Sequence, residues 1–534
     1  MKFWLPLFLC LAHLSFLVMA ARQHPFGTYA TETDFYHYYA PDAERLAAGQ
    51  FPANPFQGPG YPAFIALLAK LTGNSQNLFA VGKWLSVFCA VACGWLVYRL
   101  FAQVFSQWVG LAAQALAIVS GEFLPFSISA TTDVFFLLLC LATLVVLTND
   151  RWHVLTRSLL AGALTGAAYV TRYNGLFLLA SGLCGIVLLD LFVLAWRERL
   201  RYGVIFLGMF LLAASPWMIA NARQHGSPFF NTNYLNIATE FFPELVKGEV
   251  NQDATRALAE RFHSFGEVLR YDPARLLKKY PANLWESLRN IVKEGLLNRW
   301  LAWLALIGAV LVWFDRRARV ALMLEIAAIV YLLLMALNHW ETRYYFFVMV
   351  LCAGLAAYAV MRLVEWIERY GTGSGSDSVH SDARDSEAPG RYRSLYRIGV
   401  PLVLLGVLWI AAFRQGNKQL REFLSNHPLE VPATISYLQS TGQCGAGKRI
   451  VTRKPHVPYL CRGEWVFFPQ VDSIEALRAW LQQNPVDYLL ISQRELKERK
   501  KLRPLGDPAK APAWLKPVWS NAEPLAVLYQ PNAP

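Results

Sequence analysis

Apolar residues in this chain run in long blocks and seldom alternate with polar ones. Eleven such blocks cover residues 4–20, 78–98, 108–120, 132–148, 157–170, 174–195, 202–220, 297–314, 319–337, 344–363 and 398–414. A helix that crosses a bilayer needs about 20 mostly apolar residues, so the pattern predicts an α-helical integral membrane protein with about eleven transmembrane helices. Two further segments read as helices too short to span and suited to the membrane surface. "APDAERLAAG" has an amphipathic pattern, and "GPGYPAFIALLAKLTG" offers a Pro-rich turn followed by an apolar helix.

Beyond residue 415 the pattern changes to that of a soluble domain. "KRIVTRKPHVPYL", "VDYLLISQREL" and "PLAVLYQ" read as strands, and "SIEALRAWLQQN" has apolar residues at helical spacing. Residues 415–534 are therefore expected to form a small α/β domain, and residues 1–370 the membrane region. Between them, "GTGSGSDSVHSDARDSEAPG" (371–390) has the composition of a flexible linker. It extends to residue 397, before the last span at 398–414.

Composition agrees with a lipid environment: 55% of the 534 residues are hydrophobic and only 16% charged, against about 25% charged in a soluble chain. The formal charge of +13 is explained by topology. Arg99, Arg151, Arg157, Arg197, Arg199, Arg201, Arg316, Arg317 and Arg319 flank alternate loops, and Arg362, Arg369, Arg391, Arg393 and Arg397 cluster after the tenth span. With the N-terminus inside, all of them lie on the cytoplasmic side, and nucleic acid is not needed to account for the charge. The three long pieces, 21–77, 221–296 and 415–534, then lie outside. The first block, led by Lys2 and followed by Val18-Met19-Ala20-Ala21, also fits a cleaved signal peptide; a retained anchor is the preferred reading because ten spans follow it. Cys10, Cys89, Cys93, Cys140, Cys184 and Cys352 fall in apolar blocks, where they act as small packing residues. Cys444 and Cys461 fall in the outer domain, where a disulfide is permitted. "GQCGAGK" (442–448) matches the start of a phosphate-binding loop, but Arg449 stands where a Ser or Thr would bind magnesium, and the segment precedes a strand. A turn is the simpler reading.

Several charged residues stand on the outer side. Asp34 follows the first block, where it fits either a chemical role or a helix N-cap. Asp133 begins the fourth span and Glu122 lies in the same outer turn; a carboxylate so near hydrocarbon is costly, and capping or function accounts for it equally. Arg172 in "TRYNG", Arg223 in "NARQHGSPF" and Arg343 in "ETRYYFF" oppose the cytoplasmic trend of the cations, and each fits headgroup snorkelling or anion binding.

The ordered set "TDFYHYYAPDAERLAAG", "GPGYPAF", "SISATTDVFFLLL", "GALTGAAYVTRYNGLFLL", "PWMIANARQHGSPF" and "ETRYYFF" resembles the GT-C class of integral membrane glycosyltransferases that use polyprenyl-phosphate sugars, in the branch of protein O-mannosyltransferases and lipid A aminoarabinose transferases. The resemblance extends over nearly the whole chain. It implies an inverting transfer of a sugar from a polyprenyl-phosphate carrier to an envelope acceptor, at the outer face of a bacterial inner membrane, by a chain acting as a monomer. Asp34 matches the acidic residue of the first outer loop that acts at the reaction centre, with Asp133 as a second acidic position and Glu122 beside it. Arg172 and Arg343 match basic positions suited to the donor phosphate, with Arg223 a third candidate. Tyr36, Tyr38, Tyr61 and Tyr173 would line the sugar pocket. No cofactor and no required metal are implied, since His339 and Glu341 alone do not make a metal site. A transporter for a lipid-linked sugar is the alternative reading, although no internal repeat of the kind found in transporters is present. A third is an assembly protein with an inert membrane scaffold.

Overall fold

The computed structural model describes residues 4–246, 251–293, 296, 298–314, 319–371 and 388–532. A helix lies at each of the eleven apolar blocks, but the helices differ greatly in length. Among the described residues four are long and apolar enough by length and composition to cross a membrane: Trp4–Arg22, Leu78–Val104, Trp196–His225 and Thr342–Trp366. The block at 108–120 forms only Gln107–Ala117, about 17 Å of helix against a hydrocarbon core of roughly 30 Å. Hydropathy marks where the chain is apolar and does not measure how long a helix lasts. The two predicted short helices form at Ala40–Ala47 and Gly60–Thr72.

The predicted linker falls mostly outside the described residues, at 372–387. The last helix, Ala388–Ser425, is far longer than its apolar middle at 398–414, so the soluble domain begins after residue 425 and not at 415. Between residues 221 and 296 the chain folds into helices that the sequence reading left unassigned, including Tyr234–Phe241, Phe265–Tyr271 and Pro273–Lys293. The last of these turns Asn283, Ser287 and Asn290 inward and leaves Leu277 and Trp285 exposed. That inverts the usual soluble pattern and suits a helix bordered by lipid.

The soluble domain is built on strands β1 (Arg449–Thr452), β2 (Glu464–Phe467), β3 (Tyr488–Ser492), β4 (Leu515–Ala522) and β5 (Leu525–Pro531), in the order β2-β1-β3-β5-β4. β1 is parallel to β2 and β3, whereas β5 is antiparallel to β3 and β4. The central strand β3 is buried along its full length, as its unbroken apolar run requires. β4 carries Lys516 and Pro517 and sits at the edge, the position such residues tolerate. Helix Ile474–Gln483 begins where Ser473 caps the Ala476 amide. Cys444 and Cys461 form a disulfide. Residues 442–448 make a turn before β1 and open no helix, so they form no phosphate-binding loop.

Candidate active site

Buried polar contacts hold the loop that follows helix Trp4–Arg22 from three directions. Glu32 accepts hydrogen bonds from the amides of Thr28 and Ala130, both at 2.8 Å, and pairs with His24 Nε2 at 2.9 Å. Burial alone would raise the Glu32 carboxyl, but the His24 charge and these donors outweigh it and hold it low. His24 Nδ1 in turn lies 2.7 Å from His427 Nε2, at the foot of the last helix. Two residues past Glu32 the chain enters a π-helix at Phe35–Tyr39, with Asp34 at its N-cap position.

The Asp34 side chain makes no capping hydrogen bond. It points into a cavity of about 710 Å³ that is also lined by Tyr38, Arg172, Tyr173, Glu341, Arg343 and Lys454. Its nearest cation is Arg343 Nη1 at 4.0 Å. Although 32% of the side chain is exposed to the cavity, the surrounding protein raises the Asp34 carboxyl above its ordinary value by desolvation. Arg343 opposes that shift, and Glu341 and Asp133 add to it. A carboxylate held this way is a stronger base than a solvated one and has a lone pair free for an incoming proton.

Arg343 is held by Glu341, whose other oxygen is 3.0 Å from His339 Nε2. Burial would raise the Glu341 carboxyl, yet His339 and Arg343 bring it down to about 2, so it stays ionised and fixes the guanidinium. Arg172 follows helix Val154–Thr171 and is bonded to Asp133. Asp133, expected as a second acidic group at the reaction centre, is itself buried and does not line the cavity; it anchors Arg172. Glu122 faces a neighbouring cavity of about 550 Å³ that shares Glu341 and Arg343 with the first. Burial, then the Glu341 charge, raises its carboxyl.

Besides Asp133, three expected site residues line neither cavity. Tyr36 is buried and stacked on Phe79, its hydroxyl taking the Gly27 amide hydrogen at 3.0 Å. Tyr61 is fully buried in the membrane core. Arg223 is exposed in the last turn of helix Trp196–His225. In one dimension a Tyr that packs in the core cannot be told from one that lines a pocket.

Two glycines explain "GPGYPAF". A Cβ on Gly58 would lie 1.9 Å from the Val170 carbonyl oxygen, and one on Gly60 2.7 Å from Thr171 Oγ1. The loop thus lies directly on the backbone that presents Arg172. Tyr173 pins the same loop by donating to the carbonyls of Pro55 and Gln57 at 3.3 and 3.4 Å. Gly58→Ala is expected to displace Thr171 and Arg172, lowering both the unfolding temperature and turnover; a variant with wild-type values for both would show that the contact is dispensable.

The sequence reading missed the contribution of the soluble domain. Arg453, Lys454, Trp465, Phe467, Glu498 and Arg499 complete the cavity wall. The domain is seated on residues 21–77 by Tyr459 donating to Glu44 at 2.9 Å, by Arg462 donating to Gln76 at 2.9 Å and by Trp465 set edge-on to His37. The one available signal was the run of cations in "TRK". Among the described residues no three His, Cys, Asp or Glu side chains converge as metal ligands.

Residues 55–219 match the family described as dolichyl-phosphate-mannose-protein mannosyltransferase. The fold is similar to ArnT from Cupriavidus metallidurans in a structure with undecaprenyl phosphate, at 15% identity and a TM-score of 0.55, covering 98% of this chain and 97% of that one. It is also similar to the apo oligosaccharyltransferase of Archaeoglobus fulgidus, at 14% identity and a TM-score of 0.56, covering 90% of this chain and 69% of that one. No curated protein sequence is significantly similar. The fold is thus the one shared with these two solved structures, and the family match covers residues 55–219, less than half of the chain.

Proposed function

We propose that this protein is an inverting glycosyltransferase that moves one sugar from a polyprenyl-phosphate carrier to an envelope acceptor, on the outer face of a bacterial inner membrane and with no required metal. The observation that carries the reading is the uncapped Asp34 carboxylate in a cavity also lined by two anchored guanidinium groups. In this reading an acceptor hydroxyl attacks the anomeric carbon, Asp34 takes its proton, and the carbon–oxygen bond to the carrier phosphate breaks with inversion. Arg343, and Arg172 beside it, face the oxygens of the departing phosphate, where a guanidinium fork binds best. Tyr38 and Tyr173 offer walls for the sugar. The soluble domain lies on the same outer side, and the chain acts as a monomer.

The test uses purified protein in detergent with a carrier-linked sugar and extracted envelope lipids, glycans and proteins. Transfer or donor hydrolysis that depends on the protein is expected; neither, across a set of donor sugars, would count against the reading. A transporter of the lipid-linked sugar would instead move carrier across vesicles with Asp34→Asn as well as with the wild type.

A further inference from the structure

The cations around the large cavity are unequal in one respect. Arg172 is bonded to Asp133, Arg343 to Glu341, and Arg453 to Glu498, with Arg499 Nη1 3.8 Å from the same Glu498. Lys454 has no ion-pair partner among the described residues, although it lines the cavity that holds Asp34. It stands two residues after β1 and two residues before His456. That ring is buried, lies against Tyr36 and is 3.2 Å from the Thr28 carbonyl oxygen. The backbone carrying Lys454 is therefore fixed to the same loop that carries Asp34. The Thr452 hydroxyl also donates to the Lys454 carbonyl at 2.7 Å.

We propose that Lys454 is a positioning residue for Asp34: supplied by the soluble domain to the same cavity, its ammonium favours the charged Asp34 carboxylate, so that the base stays charged to lower pH when the domain is seated. The inference rests on Asp34 acting as the base. From the membrane side, Arg343 favours the charged form of Asp34, whereas Glu341 and Asp133 oppose it. From the soluble domain Lys454 is the cation that favours it. The cavity wall also carries His37, Tyr38, Tyr344, Arg453 and Glu498. Lys454 is itself pulled below its usual range by burial, then by the Arg453 charge, and is held up by Asp34 and Glu498. The charge on Lys454 therefore bears on the pH at which Asp34 gains a proton.

The experiment is the pH profile of single-turnover transfer by the full-length protein, together with donor affinity. Lys454→Met is expected to move the acid limb to higher pH by about one unit, the size of losing one nearby opposite charge. Lys454→Arg is expected to leave the acid limb in place, because the guanidinium keeps the positive charge. Should Lys454→Met fold poorly, Lys454→Gln removes the same charge with a polar side chain and carries the same expectation. An acid limb left in place when the charge is removed would overturn the proposal, as would a loss of donor affinity without a shift of the limb, which would mark Lys454 as a phosphate contact. No turnover in the wild type would count against the transferase reading itself, which is a different result.

Discussion

Asp34→Asn is expected to reduce single-turnover transfer by a factor of roughly 10² to 10⁴ while donor affinity stays close to that of the wild type. The amide has nearly the shape of the carboxylate, and the side chain makes no capping bond to be lost. What disappears is the acceptor for the hydroxyl proton, together with the negative charge 4.0 Å from Arg343. Relief of that charge would, if anything, let an anionic donor bind slightly more tightly. The pairing of an affinity measurement with a single-turnover rate distinguishes the roles: full turnover in Asp34→Asn would remove Asp34 from the chemistry. Because burial raises its carboxyl, the acid limb of the wild-type profile should lie above the range of an ordinary aspartate. Below that limb the base is protonated and transfer is lost.

Arg172→Ala should produce a large effect of another kind, a loss of stability. Arg172 is bonded to Asp133, whose side chain is only 2% exposed. Removing one partner of a buried ion pair leaves an uncompensated charge and typically costs about 3 to 5 kcal/mol. The combined change Arg172→Met and Asp133→Leu should recover most of that loss, since two apolar groups leave nothing unpaired. Arg343→Ala should behave differently. Glu341 keeps His339 as a partner at 3.0 Å, so the fold should hold while donor affinity falls, and Arg343→Lys should restore it only in part. Unfolding temperature in detergent and donor affinity, measured on all four variants, check this division. An Arg172→Ala protein as stable as the wild type would show that water or lipid already compensates Asp133.

The parts of the molecule governed by local sequence were legible without the structure. Each apolar block became a helix because burying backbone polar groups in hydrocarbon leaves few other choices, and "APDAERLAAG" and "YPAFIALLAKLT" announced their helices by spacing. Asp34, Arg172 and Arg343 were noticeable because polar residues beside apolar blocks are conspicuous, but only the resemblance gave them roles. Features set by tertiary packing were hidden. Nothing in "TDFYHYY" separates Tyr36, stacked on Phe79, from Tyr38, which faces the cavity. Nothing near Asp133 says that its partner lies 39 residues away. Lys454 and Trp465 reach the site only because a separate domain docks on the first loop, and hydropathy carries no record of docking. The short strand β2 and the polar edge strand β4 lacked the apolar alternation that revealed β5.

The contact between His24 and His427 joins residues 403 positions apart, and it bears on how the protein is made. At a synthesis rate of about 5 to 20 residues per second, His24 emerges roughly 20 to 80 s before its partner. Throughout that interval the loop carrying Asp34 lacks the last helix beneath it and the soluble domain above it. A ribosome-bound intermediate can thus display most of the membrane helices and still have no formed reaction centre. Assembly of the cavity thus waits on the C-terminal part of the chain, and under the proposed function late truncations are expected to lower activity sharply.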